Sequence, residues 1–330
     1  MSKVWLLLAF VASALAGCSS ESLTAGITEP IRVSYGNGRN AQFLGGELPG
    51  SKPLTDGEVL SGVLPQTPTS SLNVSVGSVR QAETGFVASG ATSSEAVAIG
   101  IRLMDSGSGY WLFPVTGQDP TKPGTYNWNA TLDFGGNIRP GKHLLGVVAL
   151  DGAGHAGSQF TTQLCVLSDI PDNSSACSST AKPPFSVLSL NWDTPVDLDL
   201  RVITPQGKVV DPKHPSTAVA VNGQTDPTAQ DVGVFDVDAE RNCVDTGYRR
   251  ENLVWQGPPA TGTYFVYVSL FDSCGQSAVR FKLSLNRPGP AGDDGTHPLE
   301  SNYSQAGELL AADADSGAKL GLFVTEFLVQ

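Results

Sequence analysis

The chain has 330 residues, a formal net charge of -12 and a pI near 4.7, a balance that excludes nucleic acid and anionic lipid head groups as electrostatic partners. Its 37 glycines and 22 prolines are too many breakers for a long-helix protein, while the length accommodates two domains. Short alternating apolar runs separated by turn signals predict an all-β fold of two tandem β-sandwiches.

At the N-terminus Lys3 precedes the apolar run VWLLLAFVASALAG. The run is too short to span a bilayer comfortably and has the charged and small-residue flanks of a secretory signal. Leu15, Ala16, Gly17 and Cys18 resemble the bacterial lipobox. That resemblance implies a lipoprotein signal peptide over residues 1–17, and a mature protein held to the membrane by acyl chains on Cys18. Ser19 resembles the outer-membrane sorting signal of Gram-negative lipoproteins, which implies an outer-membrane anchor with the protein on the periplasmic or surface face. Residues 18–71 follow as the lipidated cysteine, a tether and an irregular Gly/Pro/Ser-rich segment that wraps a domain or stays mobile.

Residues 72–168 read as the first sandwich. In EAVAIGIRL, Val97, Ile99, Ile101 and Leu103 alternate with Ala98, Gly100 and Arg102, which gives one buried and one solvent-facing side. GYWLFPV, GTYNWNATLDF and GKHLLGVVALDGAGHAG continue the pattern, and together these runs resemble a bacterial immunoglobulin-like module. GNIRPGKH comes close to a phosphate-binding loop, but His143 stands where Ser or Thr is needed. The LLGVVAL that follows reads as a strand, not a helix, so the stretch is expected to be a hairpin turn.

Residues 169–184, rich in Ser, Asn and Pro, read as a linker to a second sandwich at 185–330. FSVLSLNW, DLDLRVI, GTYFVYVSLF, AVRFKLSL and LGLFVTEFLV supply its strands. LNWDTPVDLDLRVITPQGKVV, GVFDVDAERNCVDTGYRRENLVW and PATGTYFVYVSLFDSCG, in that order, resemble the YfaP-type bacterial domain of unknown function. The insertion RNCVDTGYRR before Glu251 and Asn252 departs from that pattern. The resemblance implies an exported β-sandwich of the cell envelope and carries no established catalytic role.

Four further cysteines, Cys165, Cys177, Cys243 and Cys274, form an even set in an export context, so two disulfides are expected; sequence order favours Cys165 with Cys177 and Cys243 with Cys274 among three pairings. Carboxylates are the most chemically suggestive groups. Period-two geometry places Asp197, Asp199 and Arg201 on one face of a strand, and Asp236, Asp238 and Glu240 repeat the arrangement. One reading makes them the wet, arginine-balanced side of ordinary strands, with Asp193 capping a turn. The other brings Asp193, Asp197, Asp199, Asp236 and Asp238 together as oxygen ligands for calcium, without an EF-hand spacing.

Nothing else suggests chemistry. The four histidines are far apart, no Gly-x-Ser-x-Gly elbow presents a nucleophile, and no carboxylate pair is singled out for glycoside hydrolysis. Tyr264 and Trp192 read as core, while Trp255 is open between core and a sugar-stacking surface. The sequence reading is therefore a non-enzymatic, lipid-anchored envelope protein that binds or scaffolds envelope protein or polysaccharide, with calcium as the candidate cofactor. The competing class is a carbohydrate-binding accessory protein or a hydrolase with an unrecognised site.

Overall fold

The computed structural model describes residues 26–36, 41–51, 70–74, 77–219, 222, 224, 226, 229 and 231–330. The leader and Cys18 lie outside the described residues. The protein is all-β, with no α-helix among the described residues, and divides into two compact units, Met1–Val166 and Leu167–Gln330.

The N-terminal unit contains β1 (Ile31–Gly36), β2 (Gln42–Gly45), β3 (Asn73–Val74), β4 (Ser78–Arg80), β5 (Phe86–Ser93) and β6 (Ala96–Leu103). β7 (Gly109–Pro114), β8 (Gly117–Gln118), β9 (Thr125–Phe134), β10 (Gly141–Asp151) and β11 (Phe160–Leu167) follow. One sheet runs β1-β9-β5-β3 with β8 on β9, and the other runs β2-β7-β6-β10-β11-β4. Alternate residues of each strand enter a common core: Ile99, Ile101 and Leu103 of β6, Leu145, Val147 and Ala149 of β10, and Trp128, Ala130 and Leu132 of β9.

Three local expectations for this unit are corrected. The irregular segment before residue 71 contributes β1 and β2, each paired into a different sheet. Part of it, as expected of a segment that wraps a domain, covers the outer face of the second sheet, where Leu48 is buried and Gln159 donates an Nε2–H to Leu48 O at 2.7 Å. Gly100, expected at the solvent, is buried beneath Leu48; a Cβ there would sit 3.1 Å from Leu48 Cδ1, so the missing side chain makes room for the plug. The GNIRPGKH stretch is not a hairpin turn, because β9 and β10 belong to opposite sheets and the chain turns a corner between them.

The C-terminal unit contains β12 (Ser186–Trp192), β13 (Asp197–Ile203), β14 (Val209–Val210), β15 (Gly233–Phe235) and β16 (Arg250–Trp255). β17 (Gly262–Asp272), β18 (Ala278–Pro288), β19 (Leu299–Leu310) and β20 (Leu322–Val329) complete it. Its sheets run β15-β16-β12-β18-β19 and β14-β13-β17-β20. Leu188, Leu190, Leu198, Leu200, Val202, Val266, Val268, Leu283 and Trp255 fill the space between them. Trp255 and Tyr264 pack edge to face at 5.9 Å, and Tyr264 stacks on Phe327 at 5.0 Å. Trp255, at 0% exposure, is therefore core and not a sugar platform.

The expected linker at 169–184 is part of this unit. Ser175 is fully buried and donates Oγ–H to His297 O at 2.6 Å, while Asn173 donates to Gln256 Oε1 at 3.0 Å. β19 was not anticipated, since its residues 300–306 are all exposed and show no buried alternation; it is held by its long backbone ladder to β18.

One buried histidine of the N-terminal unit sits between two acceptors. His143 is 6% exposed, its Nδ1 lies 2.8 Å from Asp105 Oδ2 and its Nε2 lies 2.7 Å from Arg139 O. Both ring nitrogens thus face acceptors, which suits the doubly protonated imidazolium. The Asp105 hydrogen bond, opposed by burial, raises the His143 pKa above its ordinary value. The associated stability is fully present below about pH 6.5, the unfolded value, and is lost as pH rises through the higher folded one. Chemical unfolding of the N-terminal unit from pH 6 to 9 is expected to show this decline, and His143→Gln is expected to flatten it.

Candidate metal centre

The candidate site begins with the alternation of β13. Leu198, Leu200 and Val202 turn inward, and Asp197, Asp199 and Arg201 turn outward, as the sequence predicts. The outward row is not wet: Asp197 is 3% exposed, Asp199 6% and Arg201 5%. Loops roof it. Arg201 donates through Nη1 to Lys319 O, its Nη2 lies 3.3 Å from Asp199 Oδ2, and its Nε lies 4.0 Å from Asp211 Oδ2. On another side Asn242 N–H donates to Asp197 Oδ2 at 2.8 Å.

The second predicted acidic strand does not form. β15 ends at Phe235, and FDVDAE continues as a loop in which Glu240 adopts a left-handed φ of 57°. This loop sends its acids to different places. Asp236 is exposed and takes both the backbone N–H (2.9 Å) and side-chain amide (2.6 Å) of Asn252. Asp238 turns toward β13, and ligand-competent oxygens of Asp197, Asp199 and Asp238 all lie within 4.8 Å of one another. Asp193 stands apart, accepting from Arg280 N–H at 2.9 Å and Thr194 Oγ1–H at 2.8 Å in the turn before β13. The structure thus brings together three of the five predicted carboxylates and places Asp193 and Asp236 in separate hydrogen-bonded roles.

Spacing within the trio suits a hard cation. Two oxygens bound to one calcium at about 2.4 Å can be no more than roughly 4.8 Å apart. The three acids line a cavity of about 250 Å³ together with Pro212, Lys213, Arg241, Asn242 and Phe271. Ser269, directly across from Asp199 in the β13–β17 ladder and therefore on the same face, is fully buried, and its Oγ has no hydrogen-bond partner among the described residues. The register shift between Asp197 and Leu198 sets Asp197 opposite Asp272, the kind of ladder irregularity that re-aims side chains.

Sequence reasoning missed Glu251 as a member of this neighbourhood. It lies on β16 opposite Leu190, facing the core, and is 0% exposed. Its Oε2 accepts Leu200 N–H at 2.8 Å and its Oε1 accepts Ala239 N–H at 3.4 Å. β14 pairs with Val202 and Ile203, so Leu200 sits on a part of the β13 edge that no strand among the described residues covers. Glu251 reaches across from the opposite sheet to satisfy that backbone donor. The Glu-Asn pair in the sequence was the available signal, though its long-range partner was not legible.

Electrostatically the group is crowded. Burial, then repulsion from Asp197, pushes Asp199 up to about 6 against the pull of Arg201. Burial raises Asp197 and Asp238 as well, and burial followed by repulsion from Asp199 drives Glu251 well above the usual carboxylate range. Asp193 shifts the other way, lowered chiefly by the Arg280 N–H. The trio and Glu251 therefore hold more negative charge than their surroundings stabilise, and protons or a cation relieve it.

Cys243 and Cys274 are joined, with a Cα–Cα distance of 5.4 Å, and Cys165 and Cys177 are also disulfide-bonded. The Cys243–Cys274 bridge ties the loop carrying Asp238 and Asn242 to the chain just beyond β17. Oxidation of both sulfurs removes the nearby Cys243, Asp272 and Cys274 group from consideration as a thiolate metal site.

No family model and no curated protein matches the chain. Among solved structures it is similar to fibronectin(III)-like modules of Clostridium thermocellum CbhA, with 8% identity over 76% of this chain and 97% of that one, at a TM-score of 0.19. It is also similar to the C-terminal domain of the AgI/II polypeptide BspA of Streptococcus agalactiae, with 9% identity over 71% and 98% of the two chains and a TM-score of 0.21. Latent PorU of Porphyromonas gingivalis matches at 10% identity over 78% of this chain and 21% of that one, with a TM-score of 0.21. Similarities this low carry no functional argument, and the sandwich assignment rests on the sheets themselves.

The buried carboxyls of the C-terminal unit, Glu251 foremost, lead to an expected pH response. A carboxyl whose folded pKa is raised contributes stability below its unfolded pKa of about 4.3 and loses it as pH rises through the folded value. Without added divalent cation, stability of this unit is expected to fall on the alkaline side. Glu251→Gln keeps an acceptor for Leu200 N–H and removes the charge, so unfolding measured at pH 5 and pH 8 is expected to differ less in the variant than in the native chain.

Proposed function

We propose that this is an exported, lipid-anchored envelope protein with a non-catalytic binding or scaffolding role, whose C-terminal sandwich is stabilised by calcium. The observation that carries the calcium reading is the meeting of Asp197, Asp199 and Asp238 around one cavity; the Ser269 hydroxyl, buried on the strand position across from Asp199 and without a hydrogen-bond partner among the described residues, supports it. Carboxylates with an added hydroxyl or water are the oxygen donors calcium takes, and its flexible coordination tolerates a site built from a strand and a loop. Arg201 and the roofing loops would then be supports that hold the ligands in place.

The export and anchoring parts rest on the lipobox-like residues ending at Cys18 and on the oxidised state of the four other cysteines, which fits an oxidising compartment. The YfaP-type resemblance points to the same compartment. A second reading, in which the ligand is an envelope polysaccharide, has one supporting feature. Tyr267 and Phe323 form an edge-to-face pair at 5.5 Å on the outer side of the four-stranded sheet, and Phe323 is 50% exposed, a surface on which a sugar ring can stack.

Thermal unfolding in millimolar calcium and in chelator tests the metal reading. A ligand specific for the native state stabilises it by about 2.7 kcal/mol at one hundred times its dissociation constant, so the calcium midpoint is expected to be several degrees higher. Asp199→Asn is expected to abolish the difference; an equal midpoint in both solutions for the native chain would refute the calcium site. For the anchor, Cys18→Ser is expected to move the protein from the membrane to the soluble fraction on centrifugation and to prevent incorporation of labelled palmitate.

A further inference from the structure

The cavity carries its own cation. Asp211, Pro212, Lys213 and His214 form a tight turn, closed by His214 N–H donating to Asp211 Oδ1 at 2.8 Å. Asp211 is buried and lies 4.0 Å from Arg201, so the turn is fixed at its base. Lys213 projects from its tip, exposed, with Nζ 4.5 Å from the centre of the Phe271 ring. Lys213 and Phe271 line the same cavity as Asp197, Asp199 and Asp238. A cation held over an aromatic face at an exposed site is bound only weakly, which makes the contact easy to break.

The two other nearby cations are placed differently. Arg201 is buried and committed to Lys319 O and Asp199. Arg241 also lines the cavity but, among the described residues, is held in an ion pair with Asp238 at 3.6 Å. Lys213 lines the cavity with all three acids without being locked to any one of them; burial raises Asp197 and Asp238, and the Lys213 charge opposes that rise in both, with Arg241 the stronger opponent at Asp238.

We propose that Lys213 is a tethered counter-cation for this cavity, resting at its rim when no metal is present and displaced when a divalent cation enters, so that it weakens and thereby sets the affinity of the site. The proposal rests on the calcium reading above and assigns a new role to a residue outside the ligand set. An ammonium and a calcium ion near the same carboxylates repel each other, and metal entry carries the cost of moving the ammonium back into water. Such a device holds the acids together before metal arrives and keeps the affinity below what three carboxylates alone would give.

Calorimetric titration of the full-length protein in detergent with calcium chloride provides the test, comparing the native chain with Lys213→Gln and Lys213→Arg. Removal of the charge in Lys213→Gln is expected to tighten binding about tenfold, and Lys213→Arg is expected to remain near the native value. In the native chain, the rate at which an amine-acylating reagent labels Lys213, read by mass spectrometry, is expected to rise on calcium addition as the ammonium leaves the ring. Binding that is equal or weaker in Lys213→Gln, or labelling of Lys213 that calcium leaves unchanged, overturns the role of Lys213 while the metal site stands. Absence of calcium binding in the native chain and in Lys213→Gln overturns the site itself, and this proposal with it.

Discussion

The C-terminal unit is organised by one constraint: β13 must bury both of its faces. Its inner row of Leu198, Leu200 and Val202 belongs to the hydrophobic core. Its outer row of Asp197, Asp199 and Arg201 is equally withdrawn from water, and burying charge is costly unless the charge is paired and hydrogen-bonded. The surrounding loops supply those partners. The turn at Asp211, the backbone at Lys319 and the backbone N–H of Asn242 each satisfy one member of the row. Glu251 answers the complementary need, a backbone donor on the uncovered edge of the same strand.

The two units roof an outer sheet face by different chemistry. In the N-terminal unit the cover is apolar: Leu48 lies on Gly100 and near Gly146, and the absence of side chains at those positions lets it approach. Burial of an aliphatic side chain of this kind is worth roughly 1.5–3 kcal/mol and needs no charge balance. In the C-terminal unit the cover is polar, and neutralisation is incomplete. Asp199 and Glu251 both have raised proton affinity despite nearby arginine and amide donors. The first roof is explained as packing; the second has a residual electrostatic demand that packing does not meet.

Legibility in the sequence followed periodicity. The strands β6, β9, β10, β13, β17 and β18 were anticipated, as were the inward rows of β13, β17 and β18; in β6 Ile99, Ile101 and Leu103 turn inward as expected, but Val97, expected in the same row, is 50% exposed near the strand's end. β1 and β2 were hidden in a Gly/Pro/Ser-rich setting because short edge strands have few alternations to show. β19 was hidden for the opposite reason, being exposed along most of its length and specified by its ladder more than by burial. Period-two geometry correctly put Asp197 and Asp199 on one face, but it cannot distinguish a wet face from one covered by distant loops. The same limitation separated Asp238 from Asp236: assumed to be neighbours on a strand, they diverge because the chain leaves the sheet after Phe235.

Loop position and loop charge are separate problems in this site. The Cys243–Cys274 bridge spans a sequence separation of 31, and closing a loop of that size in the unfolded chain stabilises the native state by roughly 3–4 kcal/mol on the chain-entropy account. It confines the segment bearing Asp238 and Asn242 near the end of β17, where Asn242 reaches Asp197. A covalent tether nevertheless cannot neutralise the carboxylates it brings together; by preventing their retreat it sharpens their repulsion. Electrostatic relief comes from protons, from Lys213 and Arg241 at the rim, or from a divalent ion, and only the last would put two positive charges on one centre that all three carboxylates can share. In the proposed calcium-bound state the bridge and the cation have complementary roles, one fixing the geometry of the site and the other making that geometry electrostatically favourable.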